Sequence, residues 1–187
     1  MRQSEIVKQP AIKPKKKAET ELLFDTSFGE QAKRRFEIEQ DLRKAIPHNE
    51  LSIFLQSQFD SKQTLKGAEI LLRWDHPQKG FISPCEFISI AEESDVIFEL
   101  DCWVTTNALN LLTKLKYSHP SLNISVNISG RHFHEPRFLN FISQQIKSVD
   151  INPQQLTIEI IEGTLLNHME AAIEAVHYLK SWAYAYQ

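Results

Sequence analysis

The segment Gly67-Ala68-Glu69-Ile70-Leu71-Leu72-Arg73-Trp74-Asp75-His76-Pro77 sets an acid and a base into an apolar run. Its pattern predicts a strand with Ala68, Ile70, Leu72 and Trp74 on one face and Glu69, Leu71 and Arg73 on the other. Charge on such a strand is costly to bury unless it is paired or holds something. The segment alone leaves two readings open. Glu69 and Arg73 form an ion pair that closes a core strand, or they belong to a binding site beside the turn at Pro77–Gly80.

The same alternation extends the set. Along Leu122–Ile128, Asn123, Ser125 and Asn127 alternate with Ile124, Val126 and Ile128. Along Leu156–Ile161, Thr157, Glu159 and Ile161 alternate with Leu156, Ile158 and Ile160. Glu69, Asn127 and Glu159 can therefore share the inside of a curved parallel sheet. Each sits toward the C-terminal end of its strand, where α/β barrels place their active sites. Two carboxylates and an amide oxygen form a hard-oxygen donor set suited to Mg²⁺ or Mn²⁺. Taken singly, Asn127 could satisfy strand-end backbone groups, and Glu159 could pair with a lysine or arginine. His48, His76, His119, His132, His134, His168 and His177 show no metal-ligand spacing and are expected at the surface or in turns. Arg131 and His132 are expected either at a pocket mouth or at a helix start.

The elements that must position these residues follow from periodicity. Phe36, Ile38, Leu42, Ala45 and Ile46 give a helix over 32–46, stopped by Pro47. Leu51–Phe59 and Leu65–Trp74 form an antiparallel hairpin across the polar turn Asp60–Gln63. Pro84–Glu93 is a short helix opened by Ser83 as N-cap. Phe98–Leu115 is a longer amphipathic helix with Leu100, Trp103, Val104, Leu111 and Leu115 toward the core. Then come the strand 122–128, a helix over 136–148, the strand 156–161 and a helix over 169–182, with a further strand expected to begin at Ala183. Strand and helix alternating at this spacing make a βα repeat and a parallel sheet.

Composition bounds the function. The 187 residues are 42% hydrophobic and 24% charged, enough for a real core in an ordinary globular protein. A net charge of −3 gives no general attraction to nucleic acid. Cys85 and Cys102 lack metal spacing and read as free thiols, packed structurally, in a reducing cytoplasm. No apolar run reaches membrane-spanning length. Met1–Lys17 is basic with no apolar h-region, so it reads as a solvated leader rather than a secretory signal.

The run GAEILLRWDHPQKGFISPCEFISIAEES, with VNISGRHF at Val126–Phe133 and LTIEIIE at Leu156–Glu162, closely resembles the EAL domain family, whose members are bacterial phosphodiesterases and receptors for cyclic di-GMP. The family's name tripeptide stands here as Glu69-Ile70-Leu71. The resemblance covers the chain from near Phe36 to the C-terminus. It implies a partial TIM-like (β/α) barrel, roughly the first half, with the first strand antiparallel. The expected organisation is a disordered basic leader and upstream-junction remnant over residues 1–31, then the N-terminal part of an EAL domain over 32–187.

The resemblance also implies roles. Glu69, Asn127 and Glu159 match residues that bind divalent metal, Mg²⁺ or Mn²⁺. Arg73 matches the arginine that holds a phosphate of cyclic di-GMP, and Gln56 a glutamine that touches the nucleotide. Glu162 matches a residue that braces a loop. Three positions depart from the family pattern: Ile70 within the tripeptide, Ser57 where proline is usual, and Ile161 where threonine is usual. The family's catalysis resembles two-metal hydrolysis of cyclic di-GMP to pGpG, with the second metal held by a later DDFGTG block. No Asp-Asp pair occurs in this sequence. The chain is therefore expected to be truncated before that block and inactive alone. Weak or lost cyclic di-GMP binding, a protein partner, or self-association through an open barrel edge are the expected partnerships.

Overall fold

The computed structural model describes the backbone of residues 15–160 and 169–185 and the side chains of residues 29–160 and 170–180. Residues Met1–Glu37 and Ile38–Gln187 form two compact units, each considered by itself. Helix α1 spans Lys15–His48. It thus begins before the helix start expected near residue 32, within the segment 1–31 expected to hold a basic leader and an upstream-junction remnant. Residues 15–24, KKKAETELLF, contain no proline or glycine and are rich in strong helix formers.

The end of α1 belongs to the second unit and enters its core. Ile38, Leu42 and Ala45 are fully buried along one stripe. Pro47 lies in the last turn rather than ending the helix before it. Termination falls to Asn49, whose φ of 59° is left-handed, while the Glu50 amide donates to the Ala45 carbonyl at 3.3 Å. This is a Schellman closure, which an asparagine tolerates better than most residues.

A hairpin follows. β1 (Leu51–Phe59) and β2 (Leu65–His76) pair antiparallel from Leu51↔Trp74 to Phe59↔Leu65. In their turn, Asp60 Oδ1 accepts from the amides of Lys62 (2.8 Å) and Thr64 (2.9 Å). The Thr64 amide is the main cause holding the Asp60 carboxyl below its usual range. The turn expected at Pro77–Gly80 extends into a short strand, β3 (Gly80–Ile82), which pairs back onto β2.

Helices α2 (Pro84–Glu92) and α3 (Val96–Leu115) lead to β4 (Asn123–Ile128); helix α4 (Pro136–Ser148) leads to β5 (Leu156–Ile160), and α5 spans Met169–Ala185. The strand expected from Ala183 is absent, because α5 continues through that position. Ser83 occupies the N-cap of α2 without a side-chain bond; its carbonyl accepts from the Glu86 and Phe87 amides instead.

The sheet order is β1-β2-β4-β5, with β2, β4 and β5 parallel. This is the expected α/β arrangement with an antiparallel first strand. One face of the sheet is apolar: Ala68, Ile70, Ile124, Val126 and Ile128 pack with Val104, Ala108, Leu112, Phe138 and Ile142 from α3 and α4. A second cluster surrounds Trp74, which is fully buried and meets Phe87 edge-on at 5.5 Å. Of the stripe expected on α3, Leu100 and Val104 are buried, whereas Trp103, Leu111 and Leu115 are only partly buried. Ala108, Leu109 and Leu112 complete the buried face, and Asp101 lies within it.

Two expectations about polar residues need correction, those for His76 and for the cysteines. His76 is buried, not a surface residue: Nδ1 accepts from the Gln78 and Lys79 amides, so Nε2 carries the proton and donates to Asp41 at 3.1 Å. The Lys79 ammonium is the leading cause that holds Asp41 below its usual range, with His76 adding to it. His132 is also buried, edge-on to Phe98 at 5.9 Å. Cys85 is exposed and does not pack; Cys102 is half-buried, and burial pushes its thiol up to about 12.

The Gly67 Cα approaches β4 so closely that an added Cβ would lie 2.7 Å from the Asn123 carbonyl oxygen. Gly67→Ala is therefore expected to push β2 from β4 and to lower stability by about 1–3 kcal/mol in chemical denaturation; unchanged stability would show that the strands separate without strain. Burial raises the Asp101 carboxyl well above the 3.8 of an unfolded chain. Its contribution is thus present below pH 3.8 and lost as pH rises through the folded value. Urea midpoints of wild type and Asp101→Asn are expected to lie closest near the unfolded value and to diverge, in the variant's favour, as pH rises. A gap that narrows with pH would contradict this.

Candidate functional site

The face of the sheet opposite the helices carries the polar residues, and strand register sets them in a row. Gln56 of β1 stands directly across from Glu69 of β2. Glu69 pairs with Ser125 of β4, so Asn127 lies one pleat further along the same face. Asn127 in turn pairs with Glu159 of β5. Four strands therefore contribute Gln56, Glu69, Asn127 and Glu159 side by side.

The contacts are specific. Asn127 Nδ2 donates to Glu69 Oε1 at 2.7 Å. The amide orientation that makes this bond leaves Asn127 Oδ1 and the second Glu69 oxygen directed elsewhere. Glu159 has no hydrogen bond or ion pair among the described residues, so none of their lysines or arginines is the partner considered above. Below this row, Thr157 Oγ1 donates to Asn123 Oδ1 at 2.8 Å, and Asn123 Nδ2 donates to the Gln154 carbonyl at 3.1 Å. That lower layer ties β4 to β5 and to the turn before it.

Arg73 shares the face with Glu69 but does not pair with it. Its guanidinium lies over the Phe54 ring at 5.1 Å, and Nη1 donates to the Leu72 carbonyl at 2.7 Å. A cation over an aromatic face at this distance is worth about 0.5–1 kcal/mol at an exposed site. Phe54, 57% exposed, is thus held as a platform for the arginine. Glu162 lies outside the described residues.

Beyond Ile70↔Val126 the β2–β4 ladder ends, and the strands part. A cavity of about 120 Å³ occupies the split, with Arg73, Glu92, Asp101, Asn127 and Ser129 in its lining. Asp101 Oδ1 accepts from the Ser129 amide at 3.4 Å, and Oδ2 has no partner. Burial raises the Glu92 carboxyl, and the charge of Glu92 adds to the burial that raises Asp101. Arg131 braces the segment after α2, with Nη1 donating to the Glu92 carbonyl at 2.7 Å. His132 points into the core and does not line this cavity. The sequence reading passed over Asp101, Glu92 and Ser129. One signal was present: Asp101 follows Leu100 and precedes Val104 by three residues, which places a lone acid on the buried stripe of α3.

Chemically, the row offers carboxylate and amide oxygens for a hard cation, with a guanidinium nearby for an anionic oxygen such as a phosphate. Among the described residues no three His, Cys, Asp or Glu side chains gather as a metal cluster. Among the same residues no helix is long and apolar enough to cross a membrane.

Comparison with known proteins identifies the architecture. The chain is 27% identical over 160 residues to the bifunctional diguanylate cyclase/cyclic di-GMP phosphodiesterase MucR of Pseudomonas aeruginosa, covering 84% of this chain and 23% of that protein. It is 29% identical over 139 residues to the cyclic di-GMP phosphodiesterase PdeR of Escherichia coli, covering 74% of this chain and 21% of PdeR. The chain thus spans little more than a fifth of the length of these relatives. Among solved structures, the EAL enzyme Bd1971 in its cGMP-bound form superposes with a TM-score of 0.73 at 27% identity, over 88% of this chain and 47% of that one. The PaMucR phosphodiesterase in complex with c-di-GMP gives 0.72 at 27% identity, over 78% of this chain and 60% of that one. The EAL domain profile matches residues 39–183. The row of polar residues on β1, β2, β4 and β5 thus lies within a chain that belongs to the EAL domain family.

Proposed function

We propose that this domain binds cyclic di-GMP across the polar face of its sheet, with Mg²⁺ or Mn²⁺ held by Glu69, Asn127 and Glu159. The observation that carries the reading is the Asn127–Glu69 bond with Glu159 in register beside it. Strand register puts these oxygen-bearing residues of three strands next to one another, and among the described residues Glu159 has no partner that a cation would have to displace. The donor set fits a hard divalent cation, which supplies positive charge and Lewis acidity to a bound phosphate.

The chain's own residues set the remaining terms. Arg73, oriented by Phe54 and the Leu72 carbonyl, keeps part of its planar fork for a phosphate oxygen. Gln56, across from Glu69, is positioned to touch the nucleotide at the other side of the row. MucR and PdeR are named as cyclic di-GMP phosphodiesterases, and the parent reaction in this proposal is hydrolysis of cyclic di-GMP to pGpG. A two-metal hydrolysis needs bridging carboxylates, and these 187 residues contain no Asp-Asp pair. By itself this polypeptide therefore binds without turnover. The free thiols Cys85 and Cys102 suit a reducing cytoplasm.

A second reading, association with another copy of the chain, is favoured by the position of β5 at the end of the sheet beside an apolar hollow of about 340 Å³. Sedimentation decides it: a concentration-dependent dimer supports the reading, and a monomer at all concentrations removes it.

Titration calorimetry with cyclic di-GMP, with and without Mn²⁺, tests the main reading. Wild type is expected to bind more tightly with Mn²⁺, and Arg73→Ala to lose about 1.5–3 kcal/mol, the value of a hydrogen bond to a charged group. Absence of binding by folded wild type contradicts the proposal, and release of pGpG contradicts its inactivity.

A further inference from the structure

We infer that Asp101 is a positioning residue for the candidate site: from the helix layer beneath the sheet, its carboxyl fixes Ser129 and thereby holds Asn127 beside Glu69. The inference deepens the metal-binding reading above and rests on it only for its effect on affinity.

The need for such a tether follows from the sheet. Up to Val126, β4 is held on both sides, by β2 and by β5. From Asn127 onward the β2 ladder has ended, and Asn127 and Ile128 keep only their β5 partners. The residue on which the row depends therefore sits where its strand has lost one neighbour. The next fixed point along the chain is Ser129, 4% exposed, whose amide donates to Asp101 Oδ1 at 3.4 Å. Ser129 also receives the Arg131 amide on Oγ at 3.3 Å, so the turn after β4 is anchored from both directions.

Packing alone does not explain an acid at this position. Asp101 is 3% exposed between Leu100 and Val104, where an aliphatic side chain would avoid the cost of burying a carboxyl. Its second oxygen, Oδ2, is buried without a partner among the described residues, and Asp101 is one of the residues lining the cavity that Arg73 and Asn127 also line. Burial, with the charge of Glu92 adding to it, favours the protonated carboxyl, which has one oxygen to accept from the Ser129 amide and one hydroxyl to donate. An asparagine presents the same acceptor and donor in the same shape; a leucine presents neither.

The test uses the full chain as wild type, Asp101→Asn and Asp101→Leu, read by amide hydrogen exchange at Ser129, by the NMR shift of the Asn127 side-chain amide, and by Mn²⁺ calorimetry. Asp101→Asn is expected to preserve all three. Asp101→Leu is expected to stay folded, to lose protection at Ser129, to shift the Asn127 amide, and to weaken Mn²⁺ binding on the order of 10- to 100-fold, as is usual when a residue orienting a metal ligand is removed. Unchanged Ser129 and Asn127 signals in folded Asp101→Leu overturn the inference. Should that variant unfold, fast Ser129 exchange in wild type or a shifted Asn127 amide in Asp101→Asn overturns it, and protection with unshifted signals supports it. Wild type that binds no Mn²⁺ counts against the metal-binding reading alone, because the two amide signals still judge Asp101.

Discussion

The parallel register of β2, β4 and β5 is the constraint from which the rest of this domain follows. Because side chains alternate with a period of two, a one-residue slip of β4 against either neighbour would turn Asn127 toward the helices and bring Val126 or Ile128 to the polar face. The apolar face forbids that slip, since Ile124, Val126 and Ile128 are all buried against α3 and α4. The same packing that buries the core therefore aligns the polar row. Gly67 contributes at the start of the β2–β4 ladder, where only a residue without Cβ allows the two backbones to approach.

The row is built where the ladder fails. β2 and β4 pair over four residues and then diverge, and the site residues Arg73 and Asn127 lie at or beyond the point of divergence. Divergence gives a ligand room between strands but removes backbone bonds that would otherwise fix them. The structure compensates with side chains: the Asn127–Glu69 bond across the gap, the Phe54 platform under Arg73, and the Asp101–Ser129 bond from below. The first and last of these act where the β2–β4 ladder has ended, and the Phe54 contact fixes the Arg73 head across the intact β1–β2 pair.

Most of the architecture was readable from alternation and helical periodicity, because those patterns reflect which face meets the core. The faces of β2, β4 and β5, and the helices α2 to α4, follow directly. Errors fell where local pattern does not determine the outcome. β3 is too short to show alternation, and its existence depends on pairing with the end of β2. The early start of α1 and the continuation of α5 through Ala183 reflect intrinsic helix preference where no tertiary pattern was visible. His76 was expected at the surface or in a turn, yet it ends β2 enclosed by α1 and the β2–β3 turn; His132 lies in a turn as expected, but buried against Phe98. Asp101 was missed for a related reason: a lone acid in an apolar stripe gains meaning only when its partner, 28 residues away, is known.

In the proposed site, Glu69, Asn127 and Glu159 close on one cation. Crystals of the chain soaked in Mn²⁺ and measured for anomalous scattering test this. A single strong peak within ligating distance of oxygens from all three side chains is expected. A peak held elsewhere, or none at a concentration that saturates calorimetric binding, would contradict it.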